Sequence, residues 1–225
     1  MTNSISVPIA LRGPRRFHVM PKPVGALCNL DCSYCYYLSK EQLLHQAAKP
    51  AMDDAVLENF IAQYIADNAG PEVVFTWQGG EPTLLGIAYF EKIVALQAKH
   101  AKPGRKVLND LQTNGTRLDR DWCAFLKRHE FLVGLSIDGP AKLHDRFRVT
   151  KGGKPTHARV MQSARLLQQY GIPFSAMCCV NRENAKHPLS VYRFLKRELG
   201  ATRIQFLPIV EPRDFRSTAP GMRAG

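Results

Sequence analysis

Three cysteines, Cys28, Cys32 and Cys35, form C-x3-C-x2-C inside the segment GALCNLDCSYCYYL. Their spacing would also put them on one face of a helix. Gly25, Asn29 and Asp31 are poor helix-interior residues, however, so a loop that turns the thiols toward a common centre is the better reading. Thiols this close are prone to oxidation unless a metal holds them. Structural zinc usually takes four protein ligands, and no nearby His or Cys completes such a set. Iron–sulfur clusters also usually take four thiolates. Three thiolates would leave one iron with an open position, the feature that separates a catalytic metal from a structural one. Cys123, Cys178 and Cys179 fall inside apolar stretches and read as small buried hydrophobes. Free cysteines in a chain whose N-terminal residues do not resemble a secretory signal suggest a reducing compartment, so the expected location is the cytoplasm.

The elements that must position this loop alternate between short β-branched runs and longer helical patterns, the signature of repeated βα units. The segment 17–26 reads as a first, irregular strand, because Pro21 and Pro23 suit an edge better than a central position. Asp53 is placed to cap a helix carrying Val56, Leu57, Phe60, Ile61, Tyr64 and Ile65 on one face. Strands are expected at 73–77, 107–112, 131–137, 173–180 and 203–207, with helices at 84–98, 119–128, 158–170 and 188–199 between them. The loop from Asp138 to His157 is long and polar, and such loops tend to be functional or mobile. Six strands joined by helices imply a parallel sheet curled toward a barrel, an α/β fold of partial (β/α)6 form. The unusual polar and glycine-rich segments all follow strand ends, where parallel barrels collect their chemistry.

The 225 residues are 45% hydrophobic and 22% charged, which suits a globular domain and excludes a disordered chain. No apolar run is long enough to cross a bilayer as a helix, so no membrane partner is expected. Lys and Arg number 31 against 19 Asp and Glu, a net charge of +12. These cations scatter without a nucleic-acid-binding motif, so no specific nucleic acid is expected as partner.

The cysteine loop, with an aromatic residue just before its last cysteine, resembles the cluster motif of the radical S-adenosylmethionine enzymes. The segments FHVMPKP, FTWQGGEPTLLG, QTNGT, FLVGLSIDGP and HDRFRVTKGG narrow the resemblance to the anaerobic sulfatase-maturating enzymes. It runs from about residue 16 to residue 212, which divides the chain into an N-terminal extension (1–15), a radical S-adenosylmethionine core (16–212) and a disordered tail (213–225).

The resemblance implies a 4Fe-4S cluster on Cys28, Cys32 and Cys35, with S-adenosylmethionine chelated at the open iron. Reductive cleavage would give a 5′-deoxyadenosyl radical that takes a hydrogen from a Cys or Ser of an unfolded sulfatase polypeptide, on the way to formylglycine. A low-potential donor such as flavodoxin or ferredoxin would supply the electron. The cofactor contacts carried over are Tyr34, Gln78, Gly80, Ser136, Arg148 and Val210, with Asn114 as a further one. Gly80 is expected to be glycine because a side chain would occupy the cofactor's space. Asp138 is expected to cap the following turn and to stay outside the site.

The family also has a cysteine-rich C-terminal region with two auxiliary clusters and the acidic residue that serves as base. No cysteine follows Cys179 in this sequence. No catalytic base is therefore assigned, and the auxiliary-cluster domain is expected to be absent. Two alternatives remain beside sulfatase maturation: another peptide-modifying radical enzyme, or an inactive core that only binds the cluster.

Overall fold

The computed structural model describes residues 16–35, 37 and 51–209. The expected extension at 1–15, the tail at 213–225 and Val210 lie outside them. Five strands, β1 (Glu72–Trp77), β2 (Lys106–Thr113), β3 (Leu132–Ser136), β4 (Phe174–Val180) and β5 (Arg203–Pro208), form one sheet in sequence order. Every neighbouring pair is parallel. The helices between them are α1 (Asp54–Asp67), α2 (Ile87–His100), α3 (Arg120–Arg128), α4 (Ala141–His144), α5 (His157–Gln169) and α6 (Pro188–Arg193), the last continued by a π turn at Phe194–Glu198.

Alternation along the strands sorts the residues. Val73, Phe75 and Trp77 of β1, Leu111 of β2, Val133 and Leu135 of β3, and Ala176 and Cys178 of β4 are buried beneath the helices. Their partners in the core include Leu57, Ile61, Phe90, Ile93, Phe125, Leu126 and Leu167. The opposite face carries Thr76, Asp110, Gln112, Gly134, Ser136, Met177 and Cys179, all partly exposed. This face is therefore polar and lacks a helical cover among the described residues. Asp53 and Asp119 cap α1 and α3 through side-chain bonds to Val56 N and Trp122 N, which fixes both helix starts.

The sheet has five strands where six were expected. The segment expected as the first strand contributes a single parallel bridge, Val19 with Phe75. Prolines 21 and 23 lack the N–H that a longer ladder needs, and the chain turns at Pro23–Ala26 instead. The helix expected over 84–98 is also divided. A 3-10 turn at Pro82–Leu85 ends at Gly86, whose φ of 76° only glycine adopts easily, and α2 starts after it.

Candidate functional site

The cysteine loop is held by the segments after three strands, through backbone after β1 and β3 and through side chains after β2. From the turn after β1, Gly80 N donates to Gly25 O at 2.8 Å and Glu81 N to Leu27 O at 2.9 Å. The loop after β3 supplies acceptors: Asp31 N donates to Val149 O at 2.8 Å and Ser33 N to Phe147 O at 3.1 Å, around a Leu30–Thr150 bridge. The 138–157 segment is thus a brace for the cysteines, shaped by α4 and by a Val149–Pro155 bridge, and not the open loop its polarity suggests. From the turn after β2, Asn114 Nδ2 donates to Asn29 Oδ1 and Asn29 Nδ2 to Thr116 Oγ1, both at 2.9 Å.

Cys32 is buried and Cys28 and Cys35 are partly so. Leu30 N donates to Cys28 Sγ at 3.4 Å and Asn114 Nδ2 at 3.7 Å. Burial pushes the Cys28 thiol up to about 11 and the Cys32 thiol to about 12, against an ordinary 9.0. Charge on Cys35 would raise the Cys28 and Cys32 thiols further, and charge on Cys28 would raise that of Cys32. Among the described residues no three His, Cys, Asp or Glu converge on a single ion. A cluster does not require that, since each thiolate binds a different iron. Three thiols of one loop, with N–H donors already aimed at one sulfur, fit such a group.

Glu81 is completely buried and ties two strand ends together. Its Oε1 accepts from Thr83 N, Thr83 Oγ1 and Thr113 Oγ1, and its Oε2 accepts from Asn114 N at 2.7 Å. Burial raises its pKa against those donors. Gly80, just before it, is confined to glycine by the chain itself. A Cβ there would overlap Leu27 O and stand 2.5 Å from Leu27 C and 2.7 Å from Ala26 C. The space it would enter belongs to the cysteine loop.

A second polar cluster lies beside the thiols. Arg148 is 7% exposed and makes a two-pronged pair with Asp138, Nε to Oδ2 at 2.9 Å and Nη2 to Oδ1 at 3.3 Å. Its guanidinium lies 5.5 Å from the Tyr34 ring centroid and donates to Cys179 Sγ at 3.6 Å. The Tyr34 hydroxyl donates to Asp138 Oδ2, and Cys179 N donates to Asp138 Oδ1 at 2.9 Å. The Asp138 charge holds the Arg148 pKa well above its usual value despite burial. Burial pushes the Tyr34 hydroxyl far above its ordinary value. Beneath the pair, Asp138 N donates to His144 Nδ1, and burial holds His144 neutral with a pKa near 3.

Two expectations therefore need correction. Asp138 is no mere turn cap: it is fully buried and joins Arg148, Tyr34 and β4. Cys179 is not a core residue. It follows Cys178 on β4, so its side chain points to the opposite face, toward Arg148. Cys123 and Cys178 are fully buried as expected.

The other expected contacts are dispersed. Ser136 ends β3 on the polar face, its Oγ accepting from Gln112 Nε2 at 2.9 Å. Gln78 follows β1, its backbone N–H donating to Pro21 O at 3.1 Å. Asn114 spends its side chain on Cys28, Asn29 and Thr116. Sequence reasoning missed Asp138 and Thr116. The signal present was their place just after β3 and β2, in the segments SIDGP and QTNGT.

Residues 23–195 match the family profile described as the Radical SAM superfamily. The chain belongs to that superfamily. It is 47% identical over 194 residues to a serine-type anaerobic sulfatase-maturating enzyme of Bacteroides thetaiotaomicron, covering 86% of this chain and 46% of that protein. It is 38% identical over 191 residues to a cysteine-type anaerobic sulfatase-maturating enzyme of Clostridium perfringens, covering 85% of this chain and 51% of the relative. Among solved structures, native anSMEcpe with bound AdoMet superposes with a TM-score of 0.77 at 38% identity, covering 85% of this chain and 51% of the other. The chain thus spans about half the length of the curated relatives it matches.

Proposed function

We propose that this chain is the radical S-adenosylmethionine core of a sulfatase-maturating oxidoreductase, which oxidises a Cys or Ser of an unfolded sulfatase polypeptide to formylglycine. The observation that carries the reading is the 47% identity to a serine-type maturase across 86% of the chain. A cytoplasmic setting suits it, because the thiols must stay reduced until metal reaches them.

When bound, a 4Fe-4S cluster and S-adenosylmethionine would supply the one-electron chemistry that generates a hydrogen-abstracting radical. Cys28, Cys32 and Cys35 would hold the cluster, and their raised thiols would have to give up protons as they ligate. Leu30 N–H and Asn114 would then donate to a thiolate sulfur, a stronger acceptor than a thiol. Arg148, held by Asp138 against Tyr34, offers a fixed cation for a carboxylate without having to order its side chain on binding. Ser136, on the half-buried polar face, is available to a ribose hydroxyl. Backbone at Gln78 and Gly80, and at Val210 beyond the described residues, completes the proposed pocket. A peptide would approach across the face of Thr76, Gln112 and Met177.

The test is anaerobic reconstitution with iron and sulfide, reduction with dithionite, and chromatography for 5′-deoxyadenosine, with a sulfatase-derived peptide followed by mass spectrometry. Nucleoside release by this chain that disappears in Cys32→Ala is the expected result, with conversion of the peptide Cys or Ser to an aldehyde expected when the family's C-terminal region is joined to it. An iron-loaded protein that releases no nucleoside overturns the reading.

A further inference from the structure

The polar site leaves unused a basic cleft between the turn after β2 and helix α5. This cleft of about 670 Å³ is lined by Arg117, Arg120, Arg159 and Arg165, with Thr116 at its inner side. All four arginines are exposed. The arginines that enter ion pairs among the described residues are Arg128, Arg146 and Arg148, so none of the cleft's four is neutralised this way. Asp119 also lines the cleft and caps α3 by accepting from Trp122 N at 2.9 Å, so the four guanidinium groups face one carboxylate. The cleft therefore presents a concentrated positive charge to solvent.

Its inner edge connects to the cysteine loop through two side chains. Thr116 Oγ1 donates to Asn114 Oδ1 at 2.7 Å, and Asn114 Nδ2 donates to Cys28 Sγ at 3.7 Å. Thr116 is also bonded to Asn29, next to that cysteine. Electron transfer weakens steeply with distance, so a carrier seated on this cleft would face the Cys28 corner of the cluster along a compact bonded route.

We propose that the Arg117, Arg120, Arg159 and Arg165 cleft docks an acidic one-electron carrier protein, bearing a flavin or an iron–sulfur group, that reduces the cluster through the Thr116, Asn114 and Cys28 contact. The inference rests on the cluster assignment above. One electron leaves the reduced carrier and enters the oxidised cluster. The carrier departs oxidised by one electron, and no atom is transferred. Opposite charge would steer the encounter, so the association rate should be the quantity most sensitive to the arginines and to salt.

The experiment follows bleaching of the reconstituted cluster by stopped flow, with reduced flavodoxin, reduced plant-type ferredoxin or dithionite as reductant. The double variant Arg117→Glu/Arg159→Glu is compared with Arg193→Glu/Arg197→Glu, which changes net charge equally at exposed positions elsewhere. The expected result is a drop of about tenfold or more in the second-order rate with a protein carrier for the cleft variant only. Salt should slow the wild type toward the variant, while the dithionite rate and S-adenosylmethionine binding stay unchanged. An unchanged carrier rate, or equal slowing by the control variant, overturns the docking site. A short RNA that binds the wild type but not the cleft variant, with carrier rates unaffected, reassigns the cleft and also overturns it. A wild-type protein that shows no cluster bleaching with dithionite refutes the cluster assignment instead, so the two failures are distinguishable.

Discussion

Gly80→Ala tests whether the glycine after β1 serves the cysteine loop. The added Cβ would overlap Leu27 O and lie 2.5 Å from Leu27 C, and both atoms are backbone that no side-chain rotation can move. The loop must shift, and with it the bonds from Gly80 N to Gly25 O and from Glu81 N to Leu27 O. Overpacking of this kind costs about 1–3 kcal/mol. The two hydrogen bonds add about 0.5–1.5 kcal/mol each. A total of about 2–6 kcal/mol corresponds to a Tm lower by roughly 4–24 °C for a domain of this size. The iron content after reconstitution should fall as well, because the displaced segment carries Cys28. Gly152→Ala is the control: its nearest neighbour, Thr150 Oγ1, is 3.9 Å away, so Tm and iron should be unchanged. Apoprotein melting by circular dichroism and iron by colorimetry are the two readings. A Gly80→Ala protein with wild-type Tm and full iron would refute the argument. Full iron with weaker S-adenosylmethionine binding would restore the simpler view that the glycine only clears space for cofactor.

Removing Arg148 leaves Asp138 buried without its cation, so Arg148→Ala should destabilise by about 3–5 kcal/mol in urea unfolding. Adding Asp138→Asn should recover part of that loss, and a purely additive double variant would contradict the pairing. In the apoprotein, thiols raised from 9.0 to about 11 at Cys28 and about 12 at Cys32 and Cys178 bind protons more tightly folded than unfolded. Their contribution is fully present below about pH 9 and is lost as pH rises toward 11–12, so apoprotein Tm should fall on alkalisation, less steeply in Cys178→Ala. Asn114→Leu removes a donor to Cys28 Sγ and should lower the midpoint potential of the reconstituted cluster, read by electron paramagnetic resonance during titration. Thr116→Val disturbs the same turn without touching the sulfur and should leave that potential in place.

The order of βα units was legible because burial beneath helices imposes its own period. Val73, Phe75 and Trp77 alternate in the sequence as they do in the sheet, and Asp53 and Asp119 mark helix starts by local hydrogen bonds alone. The cysteine triplet stood out because its three thiols lie within eight residues of chain. The phase of Cys178 and Cys179 was not, because both lie in the apolar run FSAMCCV and only the packed helices decide which one faces the core. Gly80 announced a close approach but not what approaches. Asp138 looked like a turn residue because its partners, Tyr34 at a separation of 104 residues and Cys179 at 41, come from the cysteine loop and from β4. Asn114 meets Cys28 across 86 residues. Such contacts are chosen by the parallel sheet, which gathers its carboxyl-terminal ends along one rim. Local sequence fixes each element's period and caps, whereas the partners of a polar side chain at that rim depend on which strands lie beside it.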